Sequence, residues 1–239
     1  CTLCDMCFMV KCPYVPPHEF DLDFHHLMLR YRAVHLKQSK KFSMRQQITE
    51  TDRNGKLGCS ASKLVNWASS TSNSLTRPVM ESVMGIDKNA VLPRFNSVQL
   101  SKRNETISIN DSAPAFGRKA VIYSTCTSEY NAADLGLAAA HVLAKNGVKT
   151  HFVYPGCCGM PQLEHGDISR VSNSAKKIAA EMAGWIDKGY DVISPVASCS
   201  LMLKFEWPLI EPEDENIQKL SGATFDVSEY LVDISIKEG

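Results

Sequence analysis

Hydrophobic positions between residues 119 and 207 follow two alternating periods. Short apolar runs, which predict buried strands, are separated by longer segments in which apolar residues recur every three or four positions, as in amphipathic helices. The predicted strands are AVIY at 120–123, VKTHFVY at 148–154 and DVISPV at 191–196. The predicted helices cover about 131–145 and about 167–188, and a further helix begins within SLMLKFEW at 200–207. Strands that alternate with helices predict a parallel sheet with right-handed crossovers, so we expect an α/β fold.

Each of the two longer predicted helices has one apolar face that should be buried against this sheet. In the first helix the face is formed by Leu135, Ala139, Val142 and Leu143. In the second helix it is formed by Val171, Ala175, Ile178, Met182 and Trp185. Asn146 and Gly147 are typical of a helix end, so the first helix should stop there.

The polarity of the chain changes before residue 119. Segment 101–118, SKRNETISINDSAPAFGR, is polar and rich in turn residues, so we interpret it as a linker. It separates a predicted N-terminal part at 1–100, which contains an amphipathic helix around DFHHLMLRYR, from a predicted α/β domain at 119–239.

The composition excludes several classes of partner. With 239 residues, of which 44% are hydrophobic and 22% charged, the chain can form one large or two modest domains. Lys plus Arg and Asp plus Glu each number 26, and this zero net charge gives no reason to expect nucleic acid as a partner. The most apolar stretch, LGLAAAHVLA at 135–144, is too short to span a bilayer, and we recognise no leader peptide.

The cysteines carry the candidate chemistry. They number nine, which is odd, and eight of them lie in two tight groups. Disulfide frameworks belong mainly to small secreted chains, whereas reduced thiols that bind metal suit a reducing compartment. We therefore expect a cytoplasmic protein with two cysteine-bound metal sites.

The first group opens the chain. Cys1, Cys4 and Cys7 are spaced C-x2-C-x2-C, and Cys12 follows after four residues, directly before Pro13. This spacing is close to the C-x2-C-x2-C-x3-C-P run of bacterial ferredoxins, so we predict a 4Fe–4S cluster held by these thiols. Zinc is the alternative, although zinc sites usually separate two C-x2-C pairs by a longer loop. In two-cluster ferredoxins the last Cys of a run binds the other cluster, so we expect Cys12 to point away from the other three.

The second group is dispersed along the chain but follows the predicted strands. Cys126, the adjacent pair Cys157 and Cys158, and Cys199 each come after the carboxyl end of a different strand. Because the carboxyl ends of parallel strands meet at one edge of a sheet, these four thiols should converge there. Small buried residues are the alternative for the adjacent pair, but glycines and prolines bracket it in a sharp loop, which favours metal binding.

The motifs around the second group resemble a known family. CCGMP followed by E-x-G-D, an upstream TC and a downstream SCS-x-MLK-x-E-x-P resemble the cysteine-rich CCG domain found in heterodisulfide reductase and in the iron–sulfur subunit of anaerobic glycerol-3-phosphate dehydrogenase. CDMCFMVKCPYVPPHEFDLDFHHLMLRYRA and LVNWASSTSNSLTRPVMESVMGIDKNAVLPRF are similar to bacterial iron–sulfur oxidoreductases named after that dehydrogenase. Four residues precede the last Cys of the first run in that subgroup, as they precede Cys12 here.

The resemblance implies a ferredoxin-type iron–sulfur segment with helices at 1–100 and a parallel-sheet CCG domain at 119–239. It implies an electron-transfer subunit with a 4Fe–4S cluster and a second iron–sulfur cluster, or zinc, at the CCG site. Electrons would pass between a flavoprotein dehydrogenase and a quinone, a thiol/disulfide acceptor or a membrane-anchored partner. The chain would then be cytoplasmic or peripheral at the inner face of the membrane. Because the chain has no G-x-G-x-x-G fingerprint, hydride chemistry should belong to a partner, and whether this chain is itself an enzyme stays open.

Two departures from the family pattern qualify this expectation. The fuller CCG pattern ends in C-x2-C, but here Cys199 is followed by Ser200, Leu201 and Met202. The upstream ferredoxin run and the second CCG repeat of the family are not in this sequence, so we expect it to be the middle of a longer protein. A zinc-stabilised binding or assembly module without a redox role is the alternative function.

Four further residues are predicted to be ordinary structural groups. Cys59 stands alone before a predicted helix and is expected to be a small packed residue. His25 and His26 lie in the amphipathic helix, where satisfied or solvated histidines are expected. His165 follows the CCG loop, and a residue that orients a metal ligand is the alternative there. A helix start also favours polar residues, and we prefer that interpretation.

Overall fold

The computed structural model describes residues 6–10, 12–38 and 44–238. Cys1, Cys4 and the side chain of Cys7 lie outside the described residues. The predicted N-terminal cluster, and the direction of Cys12 relative to it, therefore stay predictions.

The described residues combine many helices with one sheet. The α-helices are α1 Met6–Met9, α2 Phe24–Gln38, α3 Met44–Ile48, α4 Thr51–Ser60, α5 Ser62–Ala68, α6 Thr76–Met84, α7 Cys126–Tyr130, α8 Ala133–Lys145, α9 Met160–His165, α10 Ile168–Ile186, α11 Ala197–Leu201, α12 Trp207–Ile210, α13 Glu215–Ala223 and α14 Val227–Glu238. A 3-10 turn covers Leu100–Lys102, and a π-helical turn at Met202–Glu206 joins α11 to α12. None of the described helices is long and apolar enough to cross a membrane.

The sheet has four parallel strands, which confirms the predicted α/β fold. The strands are β1 Lys119–Tyr123, β2 Lys149–Val153, β3 Asp191–Ser194 and β4 Thr224–Asp226. Their order is β2-β1-β3-β4, with Val121 of the central strand β1 paired to both His151 and Val192. The order reverses between β1 and β3, and ligands in open α/β sheets bind beyond the carboxyl ends of the strands at such a reversal.

Helices cover both faces of the sheet. In β1, Ala120 and Ile122 belong to the core on one face, with α8 and α14, whereas Val121 and Tyr123 belong to the core on the other, with α10 and α13. This alternation follows from the two-residue period of a strand. All four side chains are fully buried, and each large apolar one stabilises the fold by roughly 1.5–3 kcal/mol.

The predicted helices are present, but the prediction of which residues of α8 are buried was partly wrong. The helix predicted at 131–145 is α8, but Leu135 and Val142 are exposed, while Ala139 and Leu143 are buried. The buried stripe of α8 consists mainly of small residues, so its backbone lies close to the sheet. The helix predicted at 167–188 is α10, which begins after Asp167, whose side chain caps the helix by accepting a hydrogen bond from the backbone N–H of Arg170.

The N-terminal helices pack directly on the α/β part. Helix α2 contacts α9, where the Arg32 side chain donates to the Glu164 carbonyl at 2.7 Å. Helix α4 contacts α7, and Gly55 lies against the ring of Tyr130. The predicted linker runs in coil and turns from residue 103 to 118, but Ala115 within it is buried in the core. The predicted domain bounds stay a prediction, although the two parts share an extensive contact.

Cys59 precedes helix α5, as the sequence suggested, but it is itself part of helix α4. It lies near the end of α4, is buried, and its thiol donates to the Tyr130 carbonyl at 3.5 Å. Its position between α4 and α7 agrees with the expectation of a packed residue.

Candidate functional site

The four cysteines of the second group meet at the carboxyl edge of the sheet. Cys126 begins α7 just after β1, Cys157 and Cys158 lie in the loop after β2, and Cys199 lies in α11 just after β3. Parallel topology alone brings these loops together, and the predicted convergence is what the structure shows. Their role as ligands stays a prediction.

The four thiols form a connected row. The Cys158 thiol donates a hydrogen bond to the Cys199 sulfur at 3.3 Å, and the Cys157 sulfur accepts one from the Gly159 backbone N–H at 3.5 Å. The Cys157 sulfur also interacts with the side chains of Cys126 and Cys158. A disulfide would require about 2.05 Å, so Cys158 and Cys199 are free thiols. Cys157, Cys158 and Cys199 are buried and Cys126 is half-buried. The row therefore lies at the border between the core and the surface.

The sulfurs differ strongly in acidity. Hydrogen bonds from Cys126, and then from Cys158, lower the pKa of Cys157. Interaction with Cys157 raises the pKa of Cys126 and of Cys158, and the hydrogen bond to Cys199 raises that of Cys158 further. The site thus favours a thiolate at Cys157, and a thiolate is the form that binds metals.

The backbone of the loop that carries the adjacent pair, residues 154–159, is held by buried aromatic side chains. The Tyr123 hydroxyl donates to the Gly156 carbonyl at 2.5 Å, and the Trp207 indole N–H donates to the Cys158 carbonyl at 3.0 Å. Both rings are fully buried. Gly159 closes the loop at φ +87°, a left-handed conformation that glycine adopts without strain. The sequence indicated the glycine bracket, but not the two aromatic clamps.

A carboxylate from the N-terminal helices also reaches this loop. Asp52, in the first turn of α4, accepts the backbone N–H of Cys157 at 3.1 Å and the Tyr154 hydroxyl at 2.5 Å. The preceding residue, Thr51, places its hydroxyl beside Cys157 and helps to lower the pKa of that thiol. Sequence reasoning missed both residues, because no local pattern links positions that are about 105 residues apart.

The histidines considered in the sequence lie away from the row of thiols. His165 ends α9. His26 bonds Asp23 through Nδ1 and approaches Glu206 through Nε2 at 3.3 Å. Burial would lower the pKa of His26, but the hydrogen bond to Asp23 and the charge of Glu206 raise it overall. His26 is thus a satisfied histidine, as expected.

Cys12 is half-buried and faces the α/β part. It borders a cavity of about 660 Å³ that is also lined by His26, Leu201 and Glu206. Leu201 lies two residues after Cys199, so Cys12 shares this cavity with the segment that follows Cys199. Segments that are far apart in sequence therefore meet in the fold.

The donor set fits a group bound by soft ligands. Four sulfur donors without a carboxylate suit iron–sulfur clusters and zinc. The Thr51 oxygen beside them is buried and has no hydrogen-bond partner of normal geometry among the described residues. Within residues 6–10, 12–38 and 44–238, no group of three or more His, Cys, Asp or Glu side chains is arranged to hold a single metal ion. A bound group would therefore need small adjustments of these thiols.

Comparison with known families agrees with this geometry. Residues 120–204, which include all four cysteines, match the family CCG, described as a cysteine-rich domain. The chain contains a CCG domain. The predicted domain type is thereby confirmed, and it indicates binding of metal or of an iron–sulfur group.

Several curated relatives share one name. Lactate utilization protein A of Geobacillus kaustophilus (strain HTA426) is 30% identical over 121 residues, which cover 48% of this chain and 48% of that protein. The protein of the same name from Oceanobacillus iheyensis (strain DSM 14371 / CIP 107618 / JCM 11309 / KCTC 3954 / HTE831) is 28% identical over 121 residues, with the same coverage. The matched region spans about half the length of these relatives. Their name differs from those of the two oxidoreductases that the sequence resembles, and no solved structure matches the chain.

Proposed function

We propose that the chain is an iron–sulfur electron-transfer subunit of an oxidoreductase. One 4Fe–4S cluster would be held near the N-terminus and a second cluster at the CCG site. The proposed ligands are Cys1, Cys4, Cys7 and Cys12 for the first cluster, and Cys126, Cys157, Cys158 and Cys199 for the second. The observation that carries the proposal is the convergence of the latter four thiols from three separate loops.

Physical chemistry favours a bound group over simple packing. A buried thiolate at Cys157 carries a charge that costs several kcal/mol to desolvate unless it is compensated. Hydrogen-bond donors, and no Lys or Arg, are the main groups that favour the charged form of Cys157, whereas a cationic metal centre would compensate its charge. Thiolate ligation would also require the neighbouring thiols to lose their protons to the solvent.

The partners are inferred from what the chain lacks and from its two cysteine groups. A flavoprotein dehydrogenase would supply electrons, because the chain has no dinucleotide fingerprint of its own. A quinone or a thiol/disulfide compound would accept them. The cavity beside Cys12 is also lined by Leu201, two residues after Cys199, and this proximity supports electron transfer between the two sites.

Metal analysis of the full chain, purified without oxygen, tests this proposal. The expected protein is brown, absorbs near ~400 nm and contains about eight iron and eight sulfide per chain, if both clusters are of the 4Fe–4S type. Cys157→Ser should lose the second cluster and keep about four iron, because a hydroxyl replaces a soft thiolate. Cys59→Ser is the matched control, since this buried cysteine belongs to neither group, and its iron content should stay unchanged.

Electron paramagnetic resonance of the reduced protein should show two signals in the wild type and one in Cys157→Ser. A colourless protein that contains zinc and no iron would contradict the proposal and establish the zinc-stabilised module instead. Equal iron in Cys157→Ser and wild type would show that the CCG loop binds no cluster.

A further inference from the structure

The N-terminus of α4 forms a second wall of the cysteine site. Thr51 and Asp52 come from the N-terminal helices, yet Asp52 binds the loop at Cys157, and the buried Thr51 hydroxyl next to it has no hydrogen-bond partner among the described residues. Asp52 forms no ion pair within 4 Å in the described part of the chain. Both of its oxygens are used by the loop, one by the Cys157 backbone and one by Tyr154.

The position of this carboxylate is fixed by packing. Asp52 lies in the first turn of α4, where the helix dipole stabilises a negative side chain. The helix is held close to α7 because Gly55 has no side chain, and the Tyr130 ring fills that space. Tyr130 meets Tyr154 edge to face, with ring centroids 5.5 Å apart. Tyr154 is thus held between a ring and the Asp52 carboxylate.

Two side chains hold the peptide unit between Gly156 and Cys157 in one orientation. Gly156 has φ +158°, close to an extended conformation, and Tyr123 binds its carbonyl from one side. Asp52 binds the next N–H, that of Cys157, from the other side. Two hydrogen bonds on one peptide unit determine its orientation, and with it the direction in which the Cys157 sulfur points.

We infer that Asp52 is a positioning residue of the CCG site. We also infer that the buried Thr51 hydroxyl, which has no hydrogen-bond partner among the described residues, becomes a donor to the sulfur of Cys157 when a group is bound there. The orientation of the loop by Asp52 does not depend on which group is bound. The effect on a cluster rests on the function proposed above. Partners that orient metal ligands typically change metal affinity by about 10–100-fold when they are removed.

The two residues should shift the reduction potential in opposite directions. Reduction adds negative charge to a cluster, so the nearby Asp52 carboxylate opposes it, whereas a hydroxyl that donates to the sulfur favours it. Asp52→Asn, which keeps an oxygen to accept the Cys157 N–H, should raise the potential of the second cluster. Thr51→Val, which has nearly the same shape without the hydroxyl, should lower it, and Thr51→Ser should restore the wild-type value.

Hydrogen exchange of the metal-free full chain tests the positioning role without any cluster. Asp52→Ala should speed exchange of the backbone amides at 154–159 by at least about tenfold, while Asp52→Asn should change it less. Asp134→Asn is the matched control, because Asp134 also lies in the first turn of a helix but is exposed and, unlike Asp52, has no described hydrogen bond to the loop. Circular dichroism identifies any variant that fails to fold. If Asp52→Ala does not fold, the exchange rates of Asp52→Asn are compared with those of the wild type instead.

The outcomes separate the two proposals. Faster exchange at the loop together with potential shifts of opposite sign supports both the positioning role and the cluster. Faster exchange in Asp52→Ala, together with a wild-type chain that binds no iron, supports the positioning of the loop and overturns the proposed function. Unchanged exchange in Asp52→Ala, or potential shifts of the same sign for Asp52→Asn and Thr51→Val, overturns the inference.

Discussion

Substitution of Gly55 by alanine would test whether α4 is docked on the CCG domain as described. A methyl group at this position would lie 2.2 Å from Cδ2 and 2.4 Å from Cγ of the Tyr130 ring. Both distances are far below van der Waals contact, so the ring or the helix must move. Tyr130 is buried and packs against Tyr154, so its ring has little room to turn.

The size of the effect follows from two opposing contributions. Alanine is favoured over glycine inside a helix by about 1 kcal/mol. An added carbon in a well-packed contact costs about 1–3 kcal/mol. Gly184→Ala is the matched control, because Gly184 is an exposed glycine within α10 and an added methyl group there would meet no atom within 4 Å. The free energy of unfolding should therefore rise by about 1 kcal/mol in Gly184→Ala and fall by up to about 2 kcal/mol in Gly55→Ala.

Urea unfolding followed by circular dichroism measures both values on the full chain. A double-mutant cycle with Tyr130→Ala isolates the contact, because the added methyl should cost much less once the ring is absent. Equal stabilisation by Gly55→Ala and Gly184→Ala would refute the docking of α4 on α7. It would also remove the support for Asp52 as a group held against the cysteine loop.

Two further predictions concern the surroundings of the site. Trp207→Phe should lower the free energy of unfolding by about 1–3 kcal/mol, because it leaves the buried Cys158 carbonyl without its hydrogen-bond donor. Urea unfolding would measure this loss, and an unchanged free energy would mean that another group can replace the indole N–H. His26→Gln should destabilise the protein mainly at low pH, because the folded-state pKa of His26 is raised above the ordinary 6.5. The stabilisation by protonated His26 is therefore complete below pH 6.5 and is lost as the pH rises through the raised pKa. A stability difference between wild type and His26→Gln that stays constant across this range would contradict the pairing with Asp23 and Glu206.

The sheet and the meeting of the cysteines could be predicted because both follow from chain order. Three apolar runs separated by helical segments define parallel strands, and parallel strands place Cys126, Cys157 and Cys199 at one edge. The last strand, β4, was missed because it has only three residues, Thr224–Asp226, and two of them are only half-buried. Such a short segment shows no period of its own.

The contacts that surround the cysteines could not be predicted in the same way. Asp52 and Tyr154 meet through the docking of one helix on another, which depends on the shape of the Gly55 surface and not on any spacing in the sequence. The exposure of Leu135 and Val142 has a similar origin, because the alanines on the other side of α8 pack against the sheet and allow a close approach. Hydrophobicity alone ranks leucine as the better core residue, but close packing of the backbone decides here.

The π-helical turn at Met202–Glu206 affects the direction in which the side chains of the following helix, α12, point. A turn that closes on the fifth residue accommodates one residue more than a regular turn, and each residue of an α-helix advances the chain by about 100°. Deleting one residue from this turn would therefore let it close as a regular α-helical turn and leave the direction of Trp207 nearly unchanged. Inserting a further residue, which the turn cannot absorb, would rotate Trp207 by about 100°, away from the Cys158 carbonyl. The wide turn thus lets the segment between Cys199 and Trp207 contain one more residue than a regular helix while the indole still reaches the cysteine loop.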